Sequence, residues 1–173
     1  LSGLISTNTT WSPSTCNPYI ATGSVIVDTA YTLTVEAGTT IKWNPGTALT
    51  IRGTLLARGS AEQPVTFTSN QTTPKAGDWA GIEFVDSSRD AEYDANENYL
   101  RGSMIQHTVI EYAGKNGNTS VAAVNTKGAS PYIDHTTIQN NQGEGVNING
   151  KTIHFTNNQV LSNLGTGIYI NHC

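Results

Sequence analysis

The sequence predicts an all-β fold, a parallel solenoid with three faces, and two observations carry that expectation. First, three apolar triplets, Val25-Ile26-Val27, Leu33-Thr34-Val35 and Ile41-Lys42-Trp43, recur in order as Leu49-Thr50-Ile51, Leu55-Leu56-Ala57 and Val65-Thr66-Phe67. The offsets are 24, 22 and 24 residues, and a fixed period of this length marks a chain that coils and stacks on itself. Second, hydrophobic residues make up 36% of the chain and charged ones only 13%, with Gly, Thr and Asn abundant. That balance suits strands joined by many turns and argues against helical bundles and coiled coils.

The 173 residues are expected to form a single domain, 1–173, since a chain of this size builds one core with little left for a second. Residues 1–22 read as a lead-in or cap. About six rungs of 22–24 residues then follow. The first face takes 25–27, 49–51, 82–84, 122–124, 146–148 and 168–170. The second takes 33–35, 55–57, 103–105, 132–134 and 153–155, and the third 41–43, 65–67, 109–111, 137–139 and 159–161. Within a triplet the outer residues point inward and the middle one outward. Two insertions, 85–102 and 113–120, interrupt the rungs as surface loops, because loop closure costs grow slowly with length.

Asn141 and Asn163 lie one 22-residue step apart and are expected at one bend, with their amides bridging neighbouring coils. His107 and His135 also hold equivalent places, which stacks them about 4.8 Å apart on successive coils. Asn157 takes the next place, so the column reads as a polar corner rather than a zinc site, which needs further ligands.

Net charge is −4, and the nine Lys and Arg residues are spread thinly along the chain. No basic stripe follows from that spacing, and a nucleic-acid partner is not expected. No apolar run approaches the roughly 20 residues that cross a bilayer, so no membrane insertion is expected. The chain begins at Leu1 without a signal peptide, as a processed chain or an excised fragment would. Asn8, Asn70 and Asn118 open N-x-[ST] sequons in polar segments, which makes them glycosylation candidates.

Several segments resemble the bacterial right-handed parallel β-helix repeat proteins of the cell surface. They are Thr9-Thr10-Trp11-Ser12, Pro18-Tyr19, Leu33-Thr34-Val35-Glu36-Ala37-Gly38-Thr39-Thr40-Ile41, Gly77-Asp78-Trp79-Ala80-Gly81-Ile82-Glu83-Phe84 and Val109-Ile110-Glu111-Tyr112-Ala113-Gly114. The resemblance covers nearly the whole chain. It implies a right-handed coil and an extracellular or cell-surface location. The fold is shared by pectate lyases, other polysaccharide-active enzymes and modules without activity, so it does not by itself imply a reaction.

An enzyme on this scaffold would gather acids, or metal-bound carboxylates, and a base on one face. The outward positions do not gather them: Glu83 and Glu111 fall on separate faces, whereas glycosidase carboxyls stand about 5–9.5 Å apart. No catalytic residue is assigned. The acidic stretch Asp90, Glu92, Asp94 superficially resembles a calcium loop, but Ala95 and Arg101 stand where an EF-hand needs Gly and Glu. No cofactor is expected, with a looser Ca2+ site in that loop as the one alternative. A Thr-x-Thr ice-binding face would have to repeat over most coils, and it does not.

Two cysteines stand near the chain ends, Cys16 and Cys173. Six rungs separate them by about 25 Å, and a disulfide needs Cα atoms within about 7 Å. An intermolecular disulfide between stacked copies is therefore the expected use of Cys16 and Cys173. The rung 168–170 lacks a cap, which would leave edges open to a second copy; a segment of a longer solenoid would show the same open rung. The leading expectation is an extracellular structural protein, a subunit or module of a surface fibre assembled head-to-tail. The alternative is a carbohydrate-binding or polysaccharide-degrading module that stacks sugars on Trp11, Trp79, Tyr93 or Tyr99.

Overall fold

The computed structural model describes residues 1–171. Coil one comprises β1 (Gly3–Ile5), β2 (Thr9–Trp11) and β3 (Tyr19–Ala21), and coil two β4 (Val25–Val27), β5 (Thr32–Glu36) and β6 (Thr40–Trp43). Coil three holds β7 (Ala48–Ile51), β8 (Thr54–Arg58) and β9 (Val65–Ser69). Coil four begins with β10 (Gly81–Val85), carries an inserted hairpin of β11 (Glu92–Tyr93) and β12 (Tyr99–Arg101), and resumes with β13 (Met104–Gln106) and β14 (Thr108–Glu111). A second hairpin, β15 (Lys115–Asn116) and β16 (Thr119–Ser120), leads into coil five, made of β17 (Val124–Lys127), β18 (Tyr132–Asp134) and β19 (Thr137–Gln139). Coil six has β20 (Val146–Asn149), β21 (Phe155–Thr156) and β22 (Gln159–Leu161), and β23 (Ile168–Asn171) opens a seventh.

Three parallel sheets result. The first runs β1-β4-β7-β10-β17-β20-β23, the second β2-β5-β8-β13-β18-β21, and the third β3-β6-β9-β14-β19-β22. The molecule is a right-handed parallel β-helix, the hand that twisted strands impose on parallel crossovers. Residues 1–22, expected as a lead-in, contain a full first coil: Leu4 pairs with Ile26, Thr10 with Thr34 and Ile20 with Lys42. Both insertions are antiparallel hairpins.

Alternation fills the interior. Val25, Leu49, Ile82, Val124 and Val146 stack inside the first sheet, Val35, Ala57, Ile105 and Ile133 inside the second, and Ile41, Phe67, Ile110 and Ile138 inside the third. All are nearly or fully shielded from water and form one continuous core. Burying a side chain such as Phe67 contributes about 1.5–3 kcal/mol.

Several triplets sit differently from the expectation. Phe67 pairs with Ile41, and Trp43 with Ser69. Ile110, Ile133 and Ile138, the middle residues expected outward, are buried, and Tyr132, expected inward, faces out over Met104. A slip of one residue is enough to cause this, because side chains alternate with period two. On the first sheet the rung starts at Val124 rather than at residue 122, which places Asn125 outward.

In coils four to six the corner from the second to the third sheet turns on a single left-handed residue. His107 (φ 46°), His135 (φ 46°) and Asn157 (φ 54°) hold left-handed backbone there, a region where Asn and His are enriched. The two imidazoles stack with ring centroids 4.7 Å apart. At the next corner the amide ladder forms: Asn141 Nδ2 donates to Asn163 Oδ1 at 2.8 Å, and Asn141 Oδ1 accepts from the Ala113 N–H at 2.8 Å. Asn141 is completely buried, so the ladder serves backbone groups that have no water.

Candidate functional site

The hairpin of β11 and β12 folds back over the outer face of the second sheet, and its aromatic side chains explain why. Tyr93 stacks on His154 with centroids 3.8 Å apart, and Tyr99 stacks on Tyr132 at 5.7 Å. Tyr132 and His154 are outward positions of coils five and six, one column that continues through Met104, Leu56 and Thr34. Burial in this cluster pushes the phenols of Tyr93, Tyr99 and Tyr132 upward. The stem is tied down at Arg89 and Asp90, just before the hairpin begins. The Arg89 N–H donates to the Gly53 carbonyl, Asp90 Oδ1 accepts from the Ser130 N–H at 2.7 Å, and Lys151 Nζ meets Asp90 Oδ2 at 2.7 Å. The chain returns through Gly102, whose φ is 104° and where a Cβ would lie 2.0 Å from the Asp90 carbonyl oxygen; only glycine fits that close approach.

The hairpin covers coils four to six and leaves coils two and three open, and the step between them is a groove of about 920 Å³. Its floor is the outer face of β5 and β8: Thr32, Thr34, Thr54, Leu56 and Arg58. One side is Arg89 and the returning strand with Tyr99, Leu100 and Arg101. Three of the nine cationic side chains of this acidic protein thus converge on one groove. Arg101 Nη2 meets Glu92 Oε2 at 2.6 Å and Arg89 Nη2 meets Glu92 Oε1 at 3.3 Å. Arg58 is exposed and forms no ion pair among the described residues.

The stacking candidates separate. Trp11, 4% exposed, packs on Tyr19, and Trp79, fully buried, packs on Trp43 with centroids 5.0 Å apart and planes 7° from parallel. Both belong to the core and are removed as sugar platforms. Tyr93 is held inside the hairpin cluster by His154, Tyr132 and Tyr99. Tyr99 alone lines the groove, its hydroxyl donating to the Gly102 carbonyl at 2.7 Å.

The acidic loop spends its carboxylates on protein donors. Asp94 accepts from the Asn96 and Asn98 N–H groups and from Asn98 Nδ2, bonds that hold its carboxyl below the usual range. Glu92 is engaged by arginines and Asp90 by Lys151, and no cluster of three or more metal-ligating side chains occurs among the described residues. Glu83 pairs with Lys127 on the first sheet, while Glu111 accepts from Thr68 and Gln139 on the third. Asn118 is exposed in the turn of the second hairpin; Asn8 is exposed with Oδ1 accepting from the Thr32 N–H, and Asn70 donates from Nδ2 to Asn44. Cys16 is exposed, and Cys173 lies outside the described residues.

The groove escaped sequence reading because its arginines are far apart in the chain. One signal was present: Arg89 and Arg101 stand near either end of an insertion, so a hairpin there brings them together.

A three-sided parallel β-helix bearing a groove on one sheet is the class of protein these features define. The family of the pectate-lyase like beta helix domain matches residues 3–98, more than half of the chain, and the chain belongs to that family. No curated protein and no solved structure matches it. Among the described residues no helix is long and apolar enough to cross a membrane.

Proposed function

We propose that this chain is an extracellular carbohydrate-binding β-helix module whose groove over β5 and β8 takes an acidic glycan. The observation that carries the reading is the convergence of Arg58, Arg89 and Arg101 on one open groove with Thr32, Thr34 and Thr54. Guanidinium forks suit planar carboxylates and sulfates. Threonine hydroxyls both donate and accept, as sugar hydroxyls require, while Leu56, Leu100 and Tyr99 supply apolar surface for the C–H faces of the rings. Head-to-tail assembly into a fibre through Cys16 and Cys173 rests on a residue outside the described ones, whereas the groove lies wholly within them.

Titration calorimetry with polygalacturonate, dextran sulfate and neutral dextran tests the reading. Binding of the two acidic polymers that weakens with salt, absence of binding to dextran, and loss on Arg58→Ala are the expected results. Equal binding of dextran, or none of any polymer, overturns it. Appearance of shortened polymer during the titration would identify the module as degrading rather than binding.

A further inference from the structure

We infer that Glu92 is a built-in competitor that occupies two of the groove's three arginines and so limits its affinity for densely charged polyanions. The inference rests on the groove reading above and adds how the site is tuned. Glu92 faces Arg101 across the hairpin ladder, and its Oε2 accepts from both Arg101 Nε, at 2.7 Å, and Arg101 Nη2, at 2.6 Å. Its Oε1 reaches Arg89 Nη2 at 3.3 Å. A single carboxylate therefore holds the forked face of one guanidinium and an edge of a second, which is the arrangement an acid group of a ligand would seek.

The internal pairing is displaceable. The side chains of Glu92, Arg89 and Arg101 are 42%, 49% and 64% exposed, and exposed pairs are weakly bound. Water and ligand reach all three. The bond to Arg101 holds the Glu92 carboxyl below the usual range, against the smaller effect of its partial burial, so the competitor stays ionised throughout neutral and mildly acidic conditions.

Arg58 differs, since it forms no ion pair among the described residues. A glycan with widely spaced charges engages Arg58 and leaves the clamp in place. A densely charged one must displace Glu92 to use Arg89 and Arg101, and part of its binding free energy goes into breaking that clamp. Removing the carboxylate should therefore favour dense ligands and leave sparse ones unaffected.

The experiment compares Glu92→Gln with the unaltered protein on dextran sulfates of high and low substitution, which differ in charge density alone. Glu92→Gln is expected to bind the highly substituted polymer about three- to tenfold more tightly, the scale of one or two exposed ion pairs, with the sparse polymer unchanged. Weaker binding of the dense polymer would show that Glu92 positions the arginines rather than competes for them, and would overturn the inference, as would no change. Glu92→Ala, which removes the amide as well, should shift affinity in the same direction and guards against an effect peculiar to glutamine. If the unaltered protein binds neither polymer, the groove reading itself fails; if it binds both and loses them on Arg58→Ala while Glu92→Gln does not tighten, only the competitor is refuted.

Discussion

Replacing Asp134 should cost more stability than any other polar substitution on the corner between the second and third sheets. Asp134 is 3% exposed, and its carboxylate accepts from Gln106 Nε2 at 3.0 Å, His135 Nδ1 at 2.8 Å, Thr156 Oγ1 at 2.8 Å and Asn157 Nδ2 at 3.0 Å. These partners come from coils four, five and six, so one side chain ties three coils together. A hydrogen bond to a charged group contributes about 1.5–3 kcal/mol. His135, Thr156 and Asn157 are exposed and would regain water, so the net loss for Asp134→Ala is about 3 kcal/mol. For a chain of this size that lowers Tm by about 6–12 °C. Desolvation raises the Asp134 pKa, but the side-chain bonds outweigh it and hold the carboxyl well below the usual range. The native pKa thus lies below the unfolded one, and the stabilisation is fully present above about pH 4. It is lost as pH falls through the depressed native value. Urea melts of the protein and of Asp134→Ala at neutral and acid pH read both effects: the unaltered protein should lose stability on acidification by more than the variant does. A variant within about 0.5 kcal/mol of the original, with the same pH slope, would refute the reasoning.

Asn141→Ala should destabilise by about 2–3 kcal/mol, since it orphans the buried Ala113 N–H; urea denaturation measures it, and a near-neutral change would count against the ladder as a structural device. Gly102→Ala should cost about 2–3 kcal/mol through its positive φ and the close Asp90 carbonyl. The same change should displace the hairpin and reduce the near-ultraviolet circular dichroism of the Tyr93, Tyr99 and Tyr132 cluster, while an unchanged spectrum would show that the turn tolerates a side chain.

The winding of the chain was legible because inward residues of strands such as Val25–Val27 and Ala48–Ile51 alternate with outward ones and repeat at a nearly constant step. Pairing in the third sheet was less legible. The corner before β9 spans 59–64, longer than the one before β6 at 37–39, and counting by a constant step set Phe67 against Trp43 instead of Ile41. Trp79 belongs to no triplet, so nothing local marked it as core. Its ring stacks on Trp43 and its Nε1 donates to the Glu111 carbonyl at 2.9 Å, contacts made possible only by the neighbouring coils. The asparagine and histidine columns were visible as equivalent places one coil apart. The groove was not, because the direction in which an inserted hairpin folds depends on aromatic partners, Tyr132 and His154, that lie two strands or more further along the chain.

Amide shift mapping by NMR, with a short oligomer of galacturonate added to the labelled protein, tests the groove most directly. Saturable shifts confined to Thr32, Thr34, Thr54, Leu56, Arg58 and the strand from Tyr99 to Gly102 are the expected result. Shifts centred on the outer face of the first sheet, around Glu83 and Asn125, or no saturable shift at all, would contradict it.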